Sequence, residues 1–201
     1  QNNAAKAEEN GWFDWEQFDM PELSIDEGVR AGTTSEALAG LRAVFQENGM
    51  VTAGNASTLN DGASAVLVAD EDFAKQNGWE IIATIEDYCT AGVEPSRVMY
   101  APVPAIQMLL ERAGMDVLDV DVYEHNEAFA SASCAVAKEV GIPDDRFNLH
   151  GGAVALGHPL GSSGTRCLIT MLGIMRRLGA KSGIVSLCLG GGNAVAMRVS
   201  M

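Results

Sequence analysis

The chain has 201 residues, of which 47% are hydrophobic and 20% are charged, a composition typical of a globular protein with one complete domain and part of another. Its net charge of −14 argues against nucleic acid as a partner, because phosphate binding requires a basic face. No apolar run reaches the ~18 residues that a membrane span needs, and the first residues lack the pattern of a secretory signal.

The cysteines and histidines of the chain predict neither disulfides nor a metal site. The four cysteines lack the spacing of a disulfide framework, so we predict buried free thiols in a reducing cytoplasm, with Cys134 and Cys167 as core residues of predicted helices. The three histidines lack the spacing of metal ligands. The cysteines are Cys89, Cys134, Cys167 and Cys188.

The beginning of the chain is predicted to contain a single helix. Residues 1–30 are acidic and carry scattered aromatic side chains, so we expect them to pack against another part of the protein. A helix is predicted from Thr34 or Ser35 to about Asn48. Ser35 is suited to cap its first turn, and Gly49 is suited to end it.

The remainder of the chain predicts an α/β layered domain. The apolar run 63–69 has the length and composition of a strand buried on both faces. From Trp79 onward, strands and helices alternate, and the last two strands form a hairpin that makes the sheet mixed. The strands are predicted at 80–88, 120–124, 183–188 and 193–200, and the helices at 104–113, from 127 or 128 to 140, and from the loop after 164 to 178.

The segment GGAVALGHPLGSSG places His158 in a glycine-rich loop directly before a helix. Backbone amides of such a loop can bind an anion or an acyl oxygen beside a histidine that transfers protons. The alternative is a structural glycine turn in which the histidine is incidental. The spacing by itself leaves both interpretations open.

The segment SLCLGGGN places Cys188 near the end of an apolar strand, with glycines following it. A thiol in this position can act as a nucleophile or a general base, and the Gly190 amide can serve as an oxyanion donor. The alternative is a small core residue, as most free cysteines are.

The segment EHNEAFA places Asn126 at a junction between a strand and a helix, where α/β sheets form their ligand sites. Asn126 could also cap the helix, and the two roles are compatible. The three segments all lie at strand ends, so Asn126, His158 and Cys188 can converge on one pocket. We expect that pocket to support acyl transfer through a carbanion.

The motifs NEAFA, GHPLGSSG and CLGGG, in this order, resemble those of the thiolase superfamily, in its acetyl-CoA acetyltransferase and 3-ketoacyl-CoA thiolase branch. The resemblance extends from about Arg30 to Met201 and more loosely over 1–29. It implies an α/β thiolase-like layered fold, with a mixed five-stranded sheet, helices on both faces and part of a loop domain. It also implies Claisen condensation or thiolytic cleavage of 3-ketoacyl-CoA.

The resemblance implies a role for each residue of the expected pocket. His158 would take the proton of a nucleophilic cysteine and help to bind a thioester oxygen. Cys188 would act as acid and base on the α-carbon of the acyl-CoA. Asn126 would hold a water that, with His158, stabilises the enolate oxygen. Gly190 would donate its amide to a second oxyanion hole.

The resemblance also implies contacts with coenzyme A, whose thioesters would be substrates; no resident cofactor is expected. Ser57 would contact the pantetheine, and Arg30 the adenine side. Because coenzyme A is itself polyanionic, the acidic chain needs a local basic patch, or one that another chain supplies. His125 and Asn193 depart from the family pattern, and the sequence does not explain them.

Mapped onto the family fold, residues 1–58 are predicted to be the tail of an inserted loop domain. Residues 59–78 would be the closing strand and helix of the N-terminal thiolase domain, so the strand at 63–69 would pair with strands absent from this sequence. Residues 79–201 would be the complete C-terminal thiolase domain. The family's acylated cysteine belongs to the N-terminal half, and none of the four cysteines matches it. Because the chain begins at Gln1, we expect a two-chain thiolase, nicked or separately encoded, that assembles as a dimer or tetramer.

Two other functions are compatible with the fold. The first is a non-catalytic thiolase-like subunit that serves assembly or substrate scaffolding, although such a subunit has no need of the residues of the expected pocket. The second is a ketoacyl synthase, which would carry a second catalytic histidine in place of Cys188. The thiolase interpretation is therefore preferred.

Overall fold

The computed structural model describes residues 1–18 and 20–201. Its helices and strands are α1 (Asn2–Glu9), α2 (Ser35–Ala39), α3 (Glu71–Gln76), β1 (Thr84–Gly92), α4 (Pro102–Ala113), β2 (Val122–His125), α5 (Ala130–Val140), α6 (Ala153–Leu156), α7 (Ser163–Leu178), β3 (Ser182–Leu189) and β4 (Asn193–Ser200). Short 3-10 turns lie at Pro95–Tyr100, Val117–Asp119 and Asp144–Arg146. In the described part of the chain, no helix is both long and apolar enough to cross a membrane.

The four strands form one mixed sheet in the order β1-β4-β3-β2. β2 runs parallel to β3, whereas β4 is antiparallel to both β3 and β1. Parallel β2 and β3 end at the same edge of the sheet, with His125 opposite Ser186. This edge brings the segments that follow β2 close to the end of β3.

Helices cover both faces of the sheet, as predicted. On one face, α4 and α5 enclose a core that includes Ile106, Val136 and Ile184. On the other face, α7 packs through Met171 and Ile174 in a core that includes the neighbouring strand residue Val185. Successive residues of β3 therefore enter opposite cores, and burial of these apolar side chains stabilises the layers.

The predicted count of five strands is wrong, because the described residues form a four-stranded sheet. The apolar run 63–69 lies in no strand, and Leu67 and Val68 are 79% and 67% exposed. A strand requires a neighbouring strand for its backbone hydrogen bonds, and 63–69 has none among residues 1–18 and 20–201.

The helix predicted from Thr34 or Ser35 to Asn48 ends early, at Ala39. Thr34 caps it instead of Ser35, because its hydroxyl accepts a hydrogen bond from the Ala37 amide at 3.2 Å. Beyond Ala39, Leu41 and Phe45 are exposed and therefore bury little of the apolar face that the prediction used. Helices in proteins depend on such packing, so the periodic pattern is insufficient here.

α5 begins at Ala130, two or three residues later than predicted. Phe129 occupies the cap position, so Asn126 is not the helix cap. The backbone N–H of Asn126 instead donates to the Ser186 carbonyl at 3.0 Å, which continues the pairing of β2 with β3. This pairing keeps the backbone at Asn126 extended beyond the end of β2.

The N-terminal segment packs against the rest of the protein, as expected. Ala4 and Ala7 of α1 are fully buried. Trp12 stacks on His150 with ring centroids 5.2 Å apart, and Phe13 contacts the same ring edge-on at 5.6 Å. α1 therefore lies beside the glycine-rich loop that follows His150.

The four cysteines are free thiols, as predicted. Cys89 and Cys167 are buried and Cys188 is half-buried. Cys134 is exposed, so the prediction that it is a core residue is wrong. It occupies the outer side of α5, whose buried residues are Ala132, Ser133 and Val136.

Candidate active site

Asn126 follows β2 and is fully buried. Its side-chain Nδ2 lies 3.3 Å from Nε2 and 3.5 Å from Nδ1 of His158. The two residues are 32 positions apart in sequence, and the loop that contains His158 brings them together. The predicted meeting of the carboxamide and the imidazole is therefore present in the fold.

The loop around His158 is held from two sides. The His158 amide donates to the Thr58 carbonyl at 3.3 Å and to Asn60 Oδ1 at 3.2 Å. Gly157 has φ +83°, and a Cβ atom there would come within 2.4 Å of the Asn60 side chain. Only glycine suits this close approach, which explains part of the glycine-rich pattern.

We assign the tautomer of His158 from its contact with Ser163. The Ser163 hydroxyl donates to the Pro159 carbonyl at 2.9 Å, and its oxygen lies 2.6 Å from His158 Nδ1. Since the hydroxyl has one hydrogen, its oxygen accepts from Nδ1–H. Nε2 is then the unprotonated nitrogen. Burial, followed by the charge of Arg166, lowers the pKa of His158, which favours this neutral form.

Arg166 and Glu124 form a buried ion pair next to Asn126. Arg166 Nη1 lies 3.3 Å from Glu124 Oε1, and Nη2 lies 3.5 Å from Asn126 Oδ1. Glu124 and Asn126 are two residues apart at the end of β2, so their side chains leave the same face of the sheet. Burial raises the pKa of Glu124 to about 8 against the opposing effect of Arg166.

Cys188 lies near the end of β3, at the same edge of the sheet as Asn126. Its Sγ is 4.0 Å from the sulfur of Met99, and burial raises the pKa of the thiol. In the described part of the chain, no hydrogen bond joins Cys188 to Asn126 or His158. The structure therefore brings the carboxamide and the imidazole into contact and places the thiol at the neighbouring strand end.

Gly190 begins the exposed turn between β3 and β4. A Cβ atom added to it would have open space around it, whereas one at Gly192 would come within 2.4 Å of the Val93 carbonyl oxygen. Gly192 is thus required by packing, and Gly190 lies on the open side of the turn.

The segment that contains Ser57 lies between two of the motifs. The Ser57 amide donates to the Ala128 carbonyl at 2.9 Å, and the following residue, Thr58, accepts from His158. Arg30 lies further away and is exposed. Its amide donates to the Gln1 side chain at 2.7 Å, and the same side chain donates to the Val154 carbonyl at 2.9 Å.

The other two histidines are structural. His125 is buried, contacts the Ser186 hydroxyl through Nδ1 at 3.1 Å, and has a pKa lowered to about 4 by burial. His150 accepts from Arg177 at 3.2 Å, and burial lowers its pKa to about 4 as well. Among residues 1–18 and 20–201, no group of three or more potential ligands could hold a metal ion.

Sequence reasoning did not identify Ser163 or Arg166 as parts of this site. Both lie in the first turn of α7, five and eight positions after His158. The helical spacing in GSSGTR could have indicated that Ser163 and Arg166 share the end of α7 that faces the loop. It could not have indicated their hydrogen-bond partners, which come from the loop and from the end of β2.

Comparisons with known proteins agree with the motifs. The family model "Thiolase, C-terminal domain" matches residues 79–201, and "Thiolase, N-terminal domain" matches 1–72. A probable acetyl-CoA acyltransferase of Staphylococcus epidermidis is 44% identical over 209 residues, covering 100% of this chain and 53% of the relative. An acetyl-CoA acetyltransferase of Pseudomonas aeruginosa is 49% identical over 178 residues, covering 89% and 45% of the two chains.

Solved structures give the same result. Human mitochondrial 3-ketoacyl-CoA thiolase in complex with CoA superposes with a TM-score of 0.95 at 39% identity, covering 99% of this chain and 51% of the human chain. Bacillus anthracis acetyl-CoA acetyltransferase gives 0.92 at 40% identity, covering 98% and 52%. The chain spans about half the length of these relatives.

Proposed function

Because this chain belongs to the thiolase family, we propose that it provides the acid–base residues of an acyl-CoA C-acyltransferase that forms or cleaves 3-ketoacyl-CoA. The observation that carries the proposal is the contact between the Asn126 side-chain nitrogen and His158, at 3.3 Å from Nε2. This contact sets a hydrogen-bond donor beside a base. A reaction that develops negative charge on a thioester oxygen requires both.

In the cleavage direction, His158 accepts at Nε2 the thiol proton of the nucleophilic cysteine. The thiolate bonds to the 3-keto carbon, and the cysteine becomes acylated as the bond from that carbon to the α-carbon breaks. The resulting imidazolium then carries a hydrogen at Nε2, next to the Nδ2–H of Asn126. The imidazolium and a water held by Asn126 can thus stabilise the oxygen of the enolate that departs when this bond breaks. A positioned acid or base contributes about 10²–10⁴-fold to the rate, and loss of one oxyanion donor costs about 10²–10³-fold.

Cys188 transfers the proton at the α-carbon. Its raised pKa keeps it a thiol at neutral pH, which suits protonation of the departing enolate in the cleavage direction. The Gly190 amide is assigned to the second oxyanion hole. This assignment is supported by the open space around Gly190 in its turn, which a ligand can enter. Ser57, which lies between NEAFA and the His158 loop, is assigned a contact with the pantetheine of coenzyme A. The exposed Arg30 is assigned a contact with the adenine side of the same molecule.

The acylated cysteine is assigned to an N-terminal thiolase segment outside these 201 residues. In support, the chain spans about half the length of its relatives, and none of its four cysteines matches the position of the family's nucleophile. The assembled unit is a dimer or tetramer in this proposal. A scaffolding role is not favoured, because a scaffold would not need the Asn126–His158 contact.

The test is 3-ketoacyl-CoA thiolysis by the protein purified from its native source, so that any accompanying N-terminal segment is retained. Cys188→Ala should lower the rate about 10²-fold or more and abolish exchange of the acyl-CoA α-proton. Acylation of the partner cysteine should persist. Cys134→Ala, at the exposed face of α5, is the matched control and should retain full activity.

Two results would contradict the proposal. The first is full thiolysis and α-proton exchange by the Cys188→Ala enzyme. The second is a preparation in which this chain is the sole polypeptide and is fully active, which would exclude the separate N-terminal segment. Mass spectrometry of the preparation identifies the polypeptides it contains and so decides the second case.

A further inference from the structure

We propose that Arg166 is a positioning residue, which together with Glu124 fixes the orientation of the Asn126 carboxamide toward His158. The inference rests on the proposed function. It gives Arg166 and Glu124 a role in the reaction, although neither residue needs to touch a substrate. It also explains a charged pair that is otherwise unexpected in the interior of the protein.

The two ends of a carboxamide have nearly the same shape and opposite hydrogen-bonding character. With Nδ2 toward His158, Asn126 presents a donor to the Nε2 lone pair and to any oxyanion that binds beside it. If the amide were flipped, its oxygen would face that lone pair and would repel an oxyanion. The orientation therefore determines whether the site stabilises negative charge.

The groups around Asn126 Oδ1 select the productive orientation. Arg166 Nη2 lies 3.5 Å from this oxygen, and the Cys167 thiol lies 3.9 Å from it. Both groups are donors. After a flip, the amide hydrogens would face a positively charged guanidinium, so that orientation is disfavoured by charge as well as by lost hydrogen bonds.

The guanidinium is itself held in place by Glu124, whose side chain is fully buried and lies 3.3 Å from Nη1. Asn126 and Glu124 extend from the same face of the β2 end, so one planar side chain can contact both. The flat, forked shape of arginine suits this double contact, which the single ammonium of lysine cannot reproduce.

Stability alone is a weak reason for this pair. Among the described residues, Glu124 Oε2 and Arg166 Nε are buried without a hydrogen-bond partner, and an incompletely satisfied buried pair contributes little net stability. Arg166 also lies in the first turn of α7, where the helix dipole disfavours a cation. A pair in so unfavourable a position is better explained by the residue that it orients.

The decisive variants separate positioning from folding. Arg166→Met leaves the buried Glu124 carboxyl without its partner, so the double variant Glu124→Gln/Arg166→Met replaces both members of the pair and should preserve the fold. Arg176→Met, on the exposed end of the same helix, is the matched control. For the double variant we expect a fall in kcat of about 10²-fold, with KM changed less than about threefold. The melting temperature should stay close to that of the wild type.

A second readout uses the same purified protein, with any accompanying N-terminal segment retained, and no substrate. NMR titration of His158 should show a higher pKa in the double variant, because the neighbouring cation is gone, and the Asn126 side-chain amide signals should broaden or move. Arg166→Lys should restore the low pKa of His158 but only part of kcat, since it restores the charge without the fork.

The outcomes distinguish the two levels of inference. If the double variant folds and retains full kcat, the positioning role is refuted. Unchanged Asn126 amide signals in a folded double variant would also refute it. If the wild-type protein has no thiolase activity while the NMR changes occur as expected, the proposed function fails and the positioning of Asn126 by Arg166 stands.

Discussion

The hydroxyl oxygen of Ser163 lies 2.6 Å from Nδ1 of His158 and determines the tautomer of the ring. Its own hydrogen is engaged by the Pro159 carbonyl, so it can only accept from the histidine. The serine belongs to α7 and the histidine to the preceding loop. The start of the helix thereby sets the chemistry of a residue outside it.

Ser163→Ala removes the group that stabilises the Nδ1–H tautomer. We expect a fall in kcat of about tenfold to 10²-fold. In a fraction of the protein, His158 then carries its proton on Nε2, and this nitrogen cannot act as a base. Steady-state thiolysis kinetics measure the effect, and ring ¹⁵N shifts of His158 report the tautomer. Unchanged ¹⁵N shifts would contradict the tautomer assignment. Ser133→Ala, a buried serine on α5, is the control and should keep full activity.

Gly157→Ala should destabilise the protein by about 1–3 kcal/mol, because φ +83° is costly for alanine and its Cβ would meet Asn60. Asn60 also bonds the His158 amide, so activity should fall with stability. Gly161→Ala is the control, since a Cβ at this position has open space. Thermal unfolding compares the two variants. Equal melting temperatures would show that the loop adapts to both.

Glu16→Gln should stabilise the protein at alkaline pH. Burial raises the pKa of Glu16 to about 7 from an ordinary 4.5, so the folded state retains a proton that the unfolded state has released. The native contribution of this carboxyl is therefore lost as pH rises from about 4.5 through 7. Glutamine keeps a hydrogen bond with Thr170 without ionising.

The measurement is the difference in free energy of unfolding between Glu16→Gln and wild type at several pH values. The advantage of the variant should be small near pH 4.5 and reach about 1–3 kcal/mol above pH 7. A difference that does not depend on pH would show that Glu16 titrates at its ordinary value. Glu9→Gln, an exposed residue at the end of α1, is the control.

The thiols should differ in reactivity toward iodoacetamide. Cys134 is exposed and should react first, whereas Cys167 is buried and its pKa is raised to about 12, so it should be protected until the protein unfolds. Cys188 should react at an intermediate rate. Peptide mass spectrometry over time gives the order. Early labelling of Cys167 would contradict its burial.

Several elements were predictable because local signals and tertiary packing agree. The helix to Leu178 ends at Gly179 with φ +66°, and the strand 193–200 was predicted with its observed limits. Where local signals were contradicted by packing, the predictions failed. The run 63–69 has strand composition without a neighbouring strand, and the pattern after Ala39 has an apolar face that stays exposed.

By itself, the sequence was sufficient to determine the thiolase motifs and the mixed α/β layering, because these follow from short patterns. It predicted that Asn126, His158 and Cys188 converge on one pocket, and the structure brings the first two into contact. Only the tertiary structure established the roles of Ser163, Arg166 and Glu124 around that pair. Hydrogen bonds and ion pairs depend on atoms brought within about 3 Å from distant segments. No local periodicity encodes such distances, so the groups that orient Asn126 and His158 become visible only when β2, the glycine-rich loop and α7 are assembled.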